Sequence, residues 1–159
     1  MEEKSTAILI VDDDENLTSN LQDILEAEGY SVAVAPDAET ALNLCRQKAF
    51  DLSLIDMRLP GMSGLELAKK LSELLPGLEY IIITGYASLE SAVDAVEQKN
   101  IIAYMTKPLN MDHLLALIKQ VFERRPAEAA SHNWWKFDLA ISYSLLSSKS
   151  ILLSNQCFL

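Results

Sequence analysis

The sequence has few of the residues that mark disulfide-rich, fibrous or membrane-spanning proteins. Its 159 residues include two cysteines, five glycines and five prolines. Cys45 and Cys157 are far apart and lack the spacing of metal ligands, so we expect reduced thiols. So few glycines and prolines exclude collagen-like and low-complexity chains. No apolar run approaches the roughly 18 residues of a membrane-spanning helix, and the acidic N-terminus does not resemble a signal peptide. We therefore expect a cytoplasmic protein.

Basic residues are also scarce. The chain has 13 lysines and arginines against 23 acidic residues, which gives a net charge of −10. A free-standing nucleic-acid-binding protein usually has the opposite balance, and an acidic surface is repelled by anionic lipid. We therefore expect no direct contact with nucleic acid.

The charge is distributed unevenly along the chain. Residues 126–159 contain two basic and two acidic side chains, so the whole net charge belongs to residues 1–125. We predict a domain over 1–125, followed by a linker and short apolar tail of unknown role over 126–159. The tail could pack on the domain, pair with another chain or be the remnant of a larger gene. Trp134 and Trp135 could also touch a membrane interface, although we do not expect this contact.

Apolar and amphipathic segments alternate through residues 1–125. The runs of strand length are Ala7–Val11, Val32–Ala35, Leu52–Ile55, Tyr80–Ile83 and Ala103–Thr106. Segments of helical period follow them, near residues 17–28, 38–45, 65–75, 89–96 and 114–121. Five such β-then-α units predict an α/β fold, with a doubly wound, mostly parallel five-stranded sheet and helices on both faces.

Several residues have the character of helix ends. Asp37 and Ser88 are placed to cap the second and fourth predicted helices, and Asn110 or Asp112 to cap the fifth. Gly29 is placed to end the first helix.

Polar residues follow four of the predicted strands. Asp12 and Asp13 follow the first strand, Asp56 the third, Thr84 the fourth and Lys107 the fifth. Ligand sites in such sheets lie beyond the carboxyl ends of the strands. Carboxylates without histidine or cysteine favour a hard cation, Mg²⁺ before Zn²⁺. The solitary Asp56 is the best candidate for a nucleophile toward phosphorus, with the ammonium and hydroxyl groups offsetting charge on a tetrahedral anion.

Each of these residues alone has an ordinary structural explanation. An aspartate after a strand is most often a turn or cap residue, and acidic residues before a helix favour its dipole. Only their combination in one alternating frame indicates a site.

Four segments together resemble the receiver (response-regulator) family of two-component signalling. They are ILIVDDDE at 8–15, DLSLIDMRLPGMSGLEL at 51–67, IIITGYASLESAV at 81–93 and AYMTKPL at 103–109. The resemblance covers about residues 5–123. It implies a flavodoxin-like sheet with strand order 2-1-3-4-5 and a switch that accepts phosphate from a sensor histidine kinase or phosphotransfer protein.

The resemblance also implies roles for individual residues. Asp56 would be the phosphoacceptor, and Asp12 and Asp13 would bind Mg²⁺ with it. Arg58 would offer its backbone carbonyl to the metal, and Lys107 would contact the phosphoryl group. The Lys107–Pro108 peptide bond is expected to be cis.

Two further residues would transmit the signal in this family. Thr84 would move to hydrogen-bond the phosphoryl group, and Tyr104 would turn inward behind it. The face formed by the fourth predicted helix, the fifth predicted strand and the fifth predicted helix would then contact a partner or a second copy, giving a possible homodimer. Asp14 lies outside the acid pair and would begin the first helix.

The sequence departs from the family pattern in places. Lys99-Asn100-Ile101-Ile102 stands where the family usually has a small Gly-Ala pair, and Leu109 stands where phenylalanine is common. Arg58 and Tyr86 occupy the two positions that tune water access to the phosphoryl group. Because both are bulky, we expect slow self-dephosphorylation.

Two other functions remain as alternatives. One is a Mg²⁺-dependent phosphatase that uses Asp56 as its nucleophile. Such phosphatases typically have their nucleophile in a D-x-D-x-[TV] motif at the first strand, and this chain lacks that motif. A phosphate-independent interaction module would not need the intact set of site residues. We therefore expect a switch that modifies itself and turns over no metabolite.

Overall fold

A computed structural model of the chain describes residues 6–85 and 100–124. The strands of the main sheet are β1 (Ala7–Val11), β2 (Ser31–Ala35), β3 (Leu52–Asp56), β4 (Glu79–Thr84) and β5 (Ile101–Thr106). The helices are α1 (Glu15–Ala27), α2 (Ala38–Gln47), α3 (Gly64–Leu74) and α4 (Met111–Glu123). The chain divides into two compact units, Met1–Leu109 and Asn110–Leu159.

The first unit contains a five-stranded sheet in the order β2-β1-β3-β4-β5. Every neighbouring pair is parallel. This confirms the predicted α/β class and strand order. The first strand, β1, lies beside the edge strand β2, and after β2 the chain returns past β1 to add β3, β4 and β5 on the other side. The order of strands therefore reverses at β1 and β3, which is where such sheets form their ligand sites.

Helices cover both faces of this sheet. On one face, side chains of α2 and α3 form a single apolar core with alternate residues of the central strands, among them Leu9, Ile55 and Tyr80. The intervening strand residues, such as Ile10 and Leu54, are fully buried on the opposite face. There α1 contributes Leu21 and Leu25 to the buried set. Burial on both faces explains why these strands are nearly continuous apolar runs.

The buried core also contains polar groups. The Tyr80 hydroxyl lies 3.1 Å from Ser72 Oγ, which also bonds the carbonyl of Ala68 at 2.9 Å. Burial raises the pKa of Tyr80 to about 12. Burial likewise raises the pKa of the Cys45 thiol to about 11, so this buried free cysteine is an inert thiol.

Helix starts follow the predicted capping residues. Asp14 caps α1 by accepting hydrogen bonds from Asn16 N–H and Leu17 N–H, both at 3.1 Å. Asp37 caps α2 and Asn110 caps α4. These contacts satisfy backbone donors that have no partner inside a helix.

Two glycines with positive φ make turns, one of them predicted and the other not. Gly29 follows the last turn of α1 with φ of +93°, a conformation that favours glycine, so its predicted role is confirmed. The short antiparallel pair formed by Arg58–Leu59 and Met62–Ser63 was not predicted, because two-residue strands carry no periodicity. Gly61 makes its turn with φ of +75°.

The second unit is described over residues 110–124. Its helix α4 has Leu114, Ile118 and Val121 buried along one side, at the spacing of an amphipathic helix. His113, in the first turn of this helix, is exposed. None of the described helices combines the length and apolar character that crossing a membrane requires.

Several predictions concern residues outside the described ranges. They are the fourth predicted helix with its cap Ser88, the role of Tyr86, and the nature of residues 126–159 with Trp134, Trp135 and Cys157. The predicted boundary near residue 125 also stays a prediction.

The cap of α2 gives stability that depends on pH. Hydrogen bonds from Thr40 hold the pKa of Asp37 below its ordinary value of 3.8. A carboxylate with a lowered folded-state pKa stabilises the protein above pH 4 and loses this contribution as pH falls through the folded pKa. We expect Asp37→Asn, which still caps, to show a smaller fall in urea midpoint between pH 5 and pH 3 than the wild type.

The control is Glu39→Gln, which removes a carboxylate from the same helical turn but leaves the Asp37–Thr40 bond. It should show the wild-type pH dependence. An Asp37→Asn protein that loses as much stability as the wild type over this range would contradict the assignment.

Candidate functional site

The carboxyl ends of β1 and β3 bring three carboxylates together. Asp12 and Asp56 are buried, whereas Asp13 is exposed. One oxygen from each of the three lies within 4.8 Å of the others. Since β1 and β3 are adjacent and parallel, residues that are far apart in sequence emerge at the same edge of the sheet. The predicted convergence of these three aspartates is therefore confirmed.

Lys107 joins two of the carboxylates. Its Nζ atom lies 2.9 Å from Asp12 Oδ2 and 3.0 Å from Asp56 Oδ2. Its backbone N–H donates to the carbonyl of Thr84 at 2.8 Å, which continues the ladder between β4 and β5. The following Lys107–Pro108 peptide is cis, as expected. The ammonium group thus bridges the carboxylates at the ends of β1 and β3, although Lys107 follows the edge strand β5.

The other oxygens of the two buried carboxylates are held by the backbone. Asp12 Oδ1 accepts from Asp14 N–H at 2.9 Å, and Asp56 Oδ1 accepts from Arg58 N–H at 3.1 Å. Both are the same local turn, in which an aspartate bonds the amide two residues later. Each carboxylate is therefore fixed from two sides, by its own backbone and by Lys107.

Burial and charge oppose each other at this cluster. Burial raises the pKa of Asp12. The hydrogen bonds from Asp14 and Lys107 lower this pKa without cancelling the increase, so it stays above its ordinary value. Burial alone would lower the pKa of Lys107, but its hydrogen bonds and charge attraction to Asp12 and Asp56 raise it overall. One ammonium thus pairs with two of the three clustered carboxylates, and the negative charge that is left over is one that a cation would neutralise.

The donor set fits a hard divalent cation. Asp12, Asp13 and Asp56 offer only oxygen atoms, which Mg²⁺ prefers over the nitrogen and sulfur ligands of zinc sites. The exposed Asp13 leaves one side of the cluster open to solvent. An ion could therefore enter there without displacing the apolar core.

The remaining predicted site residues lie around this cluster in different ways. Thr84 is buried at the last position of β4. Asp56 on β3 pairs with Ile83, the residue before Thr84. Tyr104 is half-buried on β5 and pairs with Ile82, so it shares a face of the sheet with Thr84. The side chain of Arg58 is exposed, while its backbone lies beside Asp56.

Sequence reasoning missed the backbone amides that orient the carboxylates. The N–H groups of Asp14 and Arg58 carry no side-chain signature. Their position two residues after a strand-terminal aspartate is the usual one for an Asx turn, and this spacing could have indicated them.

Comparison with known proteins identifies the family. The model of the response regulator receiver domain matches residues 8–119. The transcriptional regulatory protein ZraR of Escherichia coli K12 is 38% identical over 113 residues, which are 71% of this chain and 25% of that protein. The alginate biosynthesis regulator AlgB of Pseudomonas aeruginosa is 36% identical over 124 residues, 77% of this chain and 27% of that protein. The chain spans about a quarter of the length of these curated relatives.

Solved structures give the same result. A CheY-like receiver domain protein of Methanospirillum hungatei is 41% identical with a TM-score of 0.71, and the match covers 76% of this chain and 96% of that one. The response regulator TrrA of Thermotoga maritima, solved with Mg²⁺ and BeF, is 30% identical with a TM-score of 0.65, over 73% and 98% of the two chains. The BeF3-activated receiver domain of DrrB is 31% identical with a TM-score of 0.68, over 76% and 99%.

The order of the parallel strands, the acidic cluster at their carboxyl ends and these matches lead to one conclusion. The chain belongs to the response regulator receiver domain family and is a domain of phosphorylation-dependent two-component signalling.

Proposed function

We propose that the domain is a switch in which Asp56 accepts a phosphoryl group from a sensor histidine kinase or phosphotransfer protein. The observation that carries this proposal is the pair of contacts from Lys107 Nζ to Asp12 and Asp56, at 2.9 and 3.0 Å, beside the third carboxylate of Asp13. A nucleophilic carboxylate, a fixed cation and acidic metal ligands are the groups that phosphoryl transfer to an aspartate requires.

The transfer step forms one bond and breaks one bond. An Asp56 carboxylate oxygen attacks phosphorus, and the bond between phosphorus and the donor atom breaks, with its electron pair leaving on the donor. The product is an acyl phosphate. Both Asp56 oxygens are already engaged, one by Arg58 N–H and the other by Lys107, so the carboxylate is oriented before the donor arrives.

Asp12, Asp13, Asp56 and the backbone carbonyl of Arg58 would hold Mg²⁺. When bound, the ion supplies charge neutralisation for the phosphoryl oxygens. Lys107 offsets the remaining negative charge, since its ammonium already lies between the two buried carboxylates.

The acyl phosphate would shift the balance between two arrangements of the domain. Its phosphoryl group carries nearly two negative charges next to Lys107 and Thr84, in place of the single charge of the Asp56 carboxylate. A domain that binds these charges better with Thr84 turned toward the phosphoryl group shifts to that arrangement. Tyr104 then has room to turn inward, because it shares the face of the sheet with Thr84.

Partners follow from this change. We propose that the face expected from the fourth predicted helix, the fifth strand and the fifth predicted helix contacts a partner or a second receiver copy. The relatives ZraR and AlgB are named as transcriptional or biosynthesis regulatory proteins, and a role in transcription for a longer protein containing this domain would fit their names. Two expectations remain predictions. The protein itself makes no direct contact with nucleic acid, and the domain turns over no metabolite.

The phosphatase alternative has less support. In the described part of the chain the nucleophile candidate is Asp56 at the end of β3, whereas Asp12 and Asp13, which follow β1, are the proposed metal ligands. A phosphate-independent interaction module has no need of a lysine bridging two buried carboxylates.

Mg²⁺ should stabilise the domain through the exposed ligand Asp13. A ligand that binds only the folded state at a hundred times its Kd adds about 2.7 kcal/mol to the free energy of unfolding. We expect Mg²⁺ to raise the Tm of the wild type in a scanning fluorimetry titration. In Asp13→Asn this increase should be lost or need much more Mg²⁺.

Asp14→Asn is the matched control, because it also removes one charge from this loop but keeps the α1 cap. It should respond to Mg²⁺ like the wild type. Equal responses of all three proteins would show that the ion binds elsewhere.

Phosphorylation is tested with Mg²⁺ and acetyl phosphate. Intact-mass measurement should detect one phosphoryl group on the wild type and none on Asp56→Asn, because an amide is not a nucleophile toward phosphorus. Asp51→Asn removes an aspartate from the opposite end of β3 and should still be modified. Many turnovers of phosphate release would support the phosphatase, and a wild type without adduct would support the interaction module.

Self-dephosphorylation should be slow because the long, exposed Arg58 side chain limits access of water to the phosphoryl group. After removal of acetyl phosphate, we expect Arg58→Ala to lose its phosphoryl group severalfold faster than the wild type, measured by intact mass over time. Arg46→Ala, on the exposed side of α2, should match the wild type. Loss within seconds from the wild type would contradict the prediction.

A further inference from the structure

The segment between Asp56 and α3 forms a short hairpin whose two ends lie next to each other. Met57 N–H donates to the carbonyl of Ile83 at 2.7 Å, which ties the start of the segment to β4. Gly64 N–H donates to the carbonyl of Met57 at 2.8 Å, which closes the segment. Its two ends therefore meet at the Asp56–Met57 peptide.

Gly64 leaves no room for a side chain at this meeting point. A Cβ atom on Gly64 would overlap the carbonyl oxygen of Asp56 and lie 3.0 Å from both the Asp56 carbonyl carbon and Met57 Cα. All three are backbone atoms, so none can rotate away as the end of a side chain could. A larger residue at position 64 must displace either α3 or the backbone of Asp56.

The start of α3 is held in place by its own contacts. Ser63 Oγ accepts from Glu66 N–H at 3.2 Å, and Glu66 Oε2 accepts from Ser63 N–H at 2.9 Å, which is a complete capping box. Leu67, Ala68 and Leu71 then fix the helix in the buried core. Because moving α3 alone would break these contacts, part of the displacement would fall on Asp56 and the residues after it.

We propose that Gly64 is a positioning residue for phosphoryl transfer. By allowing α3 to begin directly against the Asp56 peptide, it sets the direction of the Asp56 carboxylate. It also sets the place of Arg58, whose N–H holds Asp56 Oδ1 and whose carbonyl is a proposed metal ligand. This inference rests on the proposed function and adds a residue that touches neither the phosphoryl group nor the ion.

The test compares Gly64→Ala with the wild type in the full chain. We expect the maximal rate of phosphorylation by acetyl phosphate to fall by about 10–100-fold, because a displacement of about 1 Å has effects of this order. The Kd for Mg²⁺, measured by calorimetry, should rise at least severalfold. Circular dichroism should show that the variant is folded under the assay conditions.

Two controls separate positioning from stability. Gly77→Ala adds the same methyl group where no atom lies within 4 Å, and it should change neither rate nor Kd. Ser63→Ala removes the α3 cap, at a cost of about 1 kcal/mol in the free energy of unfolding, without adding an atom near Asp56. Its phosphorylation rate should stay within about twofold of the wild type. If Ser63→Ala loses as much activity as Gly64→Ala, Gly64 serves stability alone.

A measurement on the wild type keeps the proposal testable if Gly64→Ala does not fold. In the metal-free protein, the amides of Met57 and Gly64 should exchange with solvent about 100-fold or more slowly than that of the exposed Gly77. Rapid exchange of both would show that the segment is not preorganised and would overturn the proposal. A wild type that accepts no phosphoryl group would instead refute the proposed function, whereas equal rates for wild type and folded Gly64→Ala would refute only the role of Gly64.

Discussion

Charge repulsion among Asp12, Asp13 and Asp56 is the constraint on which the site depends. The fold forces these carboxylates within 4.8 Å of one another, and Lys107 can balance only part of their charge. The burial that raises the pKa of Asp12 shows that ionisation is costly there. A bound cation would relieve this crowding, because it would neutralise the negative charge that Lys107 leaves unbalanced.

Rigid placement is the second requirement, and the sheet supplies most of it. Asp56 and Thr84 end adjacent parallel strands, and Lys107 follows the next strand. Two Asx turns then aim the buried carboxylates without using any further side chain. The chemistry is thus concentrated in few residues because hydrogen bonds of the backbone orient them.

Much of this arrangement follows from patterns in the sequence. Doubly buried parallel strands leave apolar runs, helices leave a period near 3.6, and caps such as Asp37 and Asn110 mark their starts. The polar residues after four of the five strands indicated the site. The strand order did not follow from periodicity and required the resemblance to a family. The hairpin at Arg58–Ser63 and the contact of Gly64 with Asp56 arise from tertiary packing, which local spacing does not encode.

Backbone bonds also link the functional positions to one another. Met57 N–H bonds the residue before Thr84, and Lys107 N–H bonds Thr84 itself, at 2.7 and 2.8 Å. An inserted or deleted residue inside β3, β4 or β5 would turn every following side chain to the other face and separate these groups. The number of residues in the strands that end at the site therefore cannot change, whereas an insertion in a loop at the opposite edge of the sheet would leave these bonds intact.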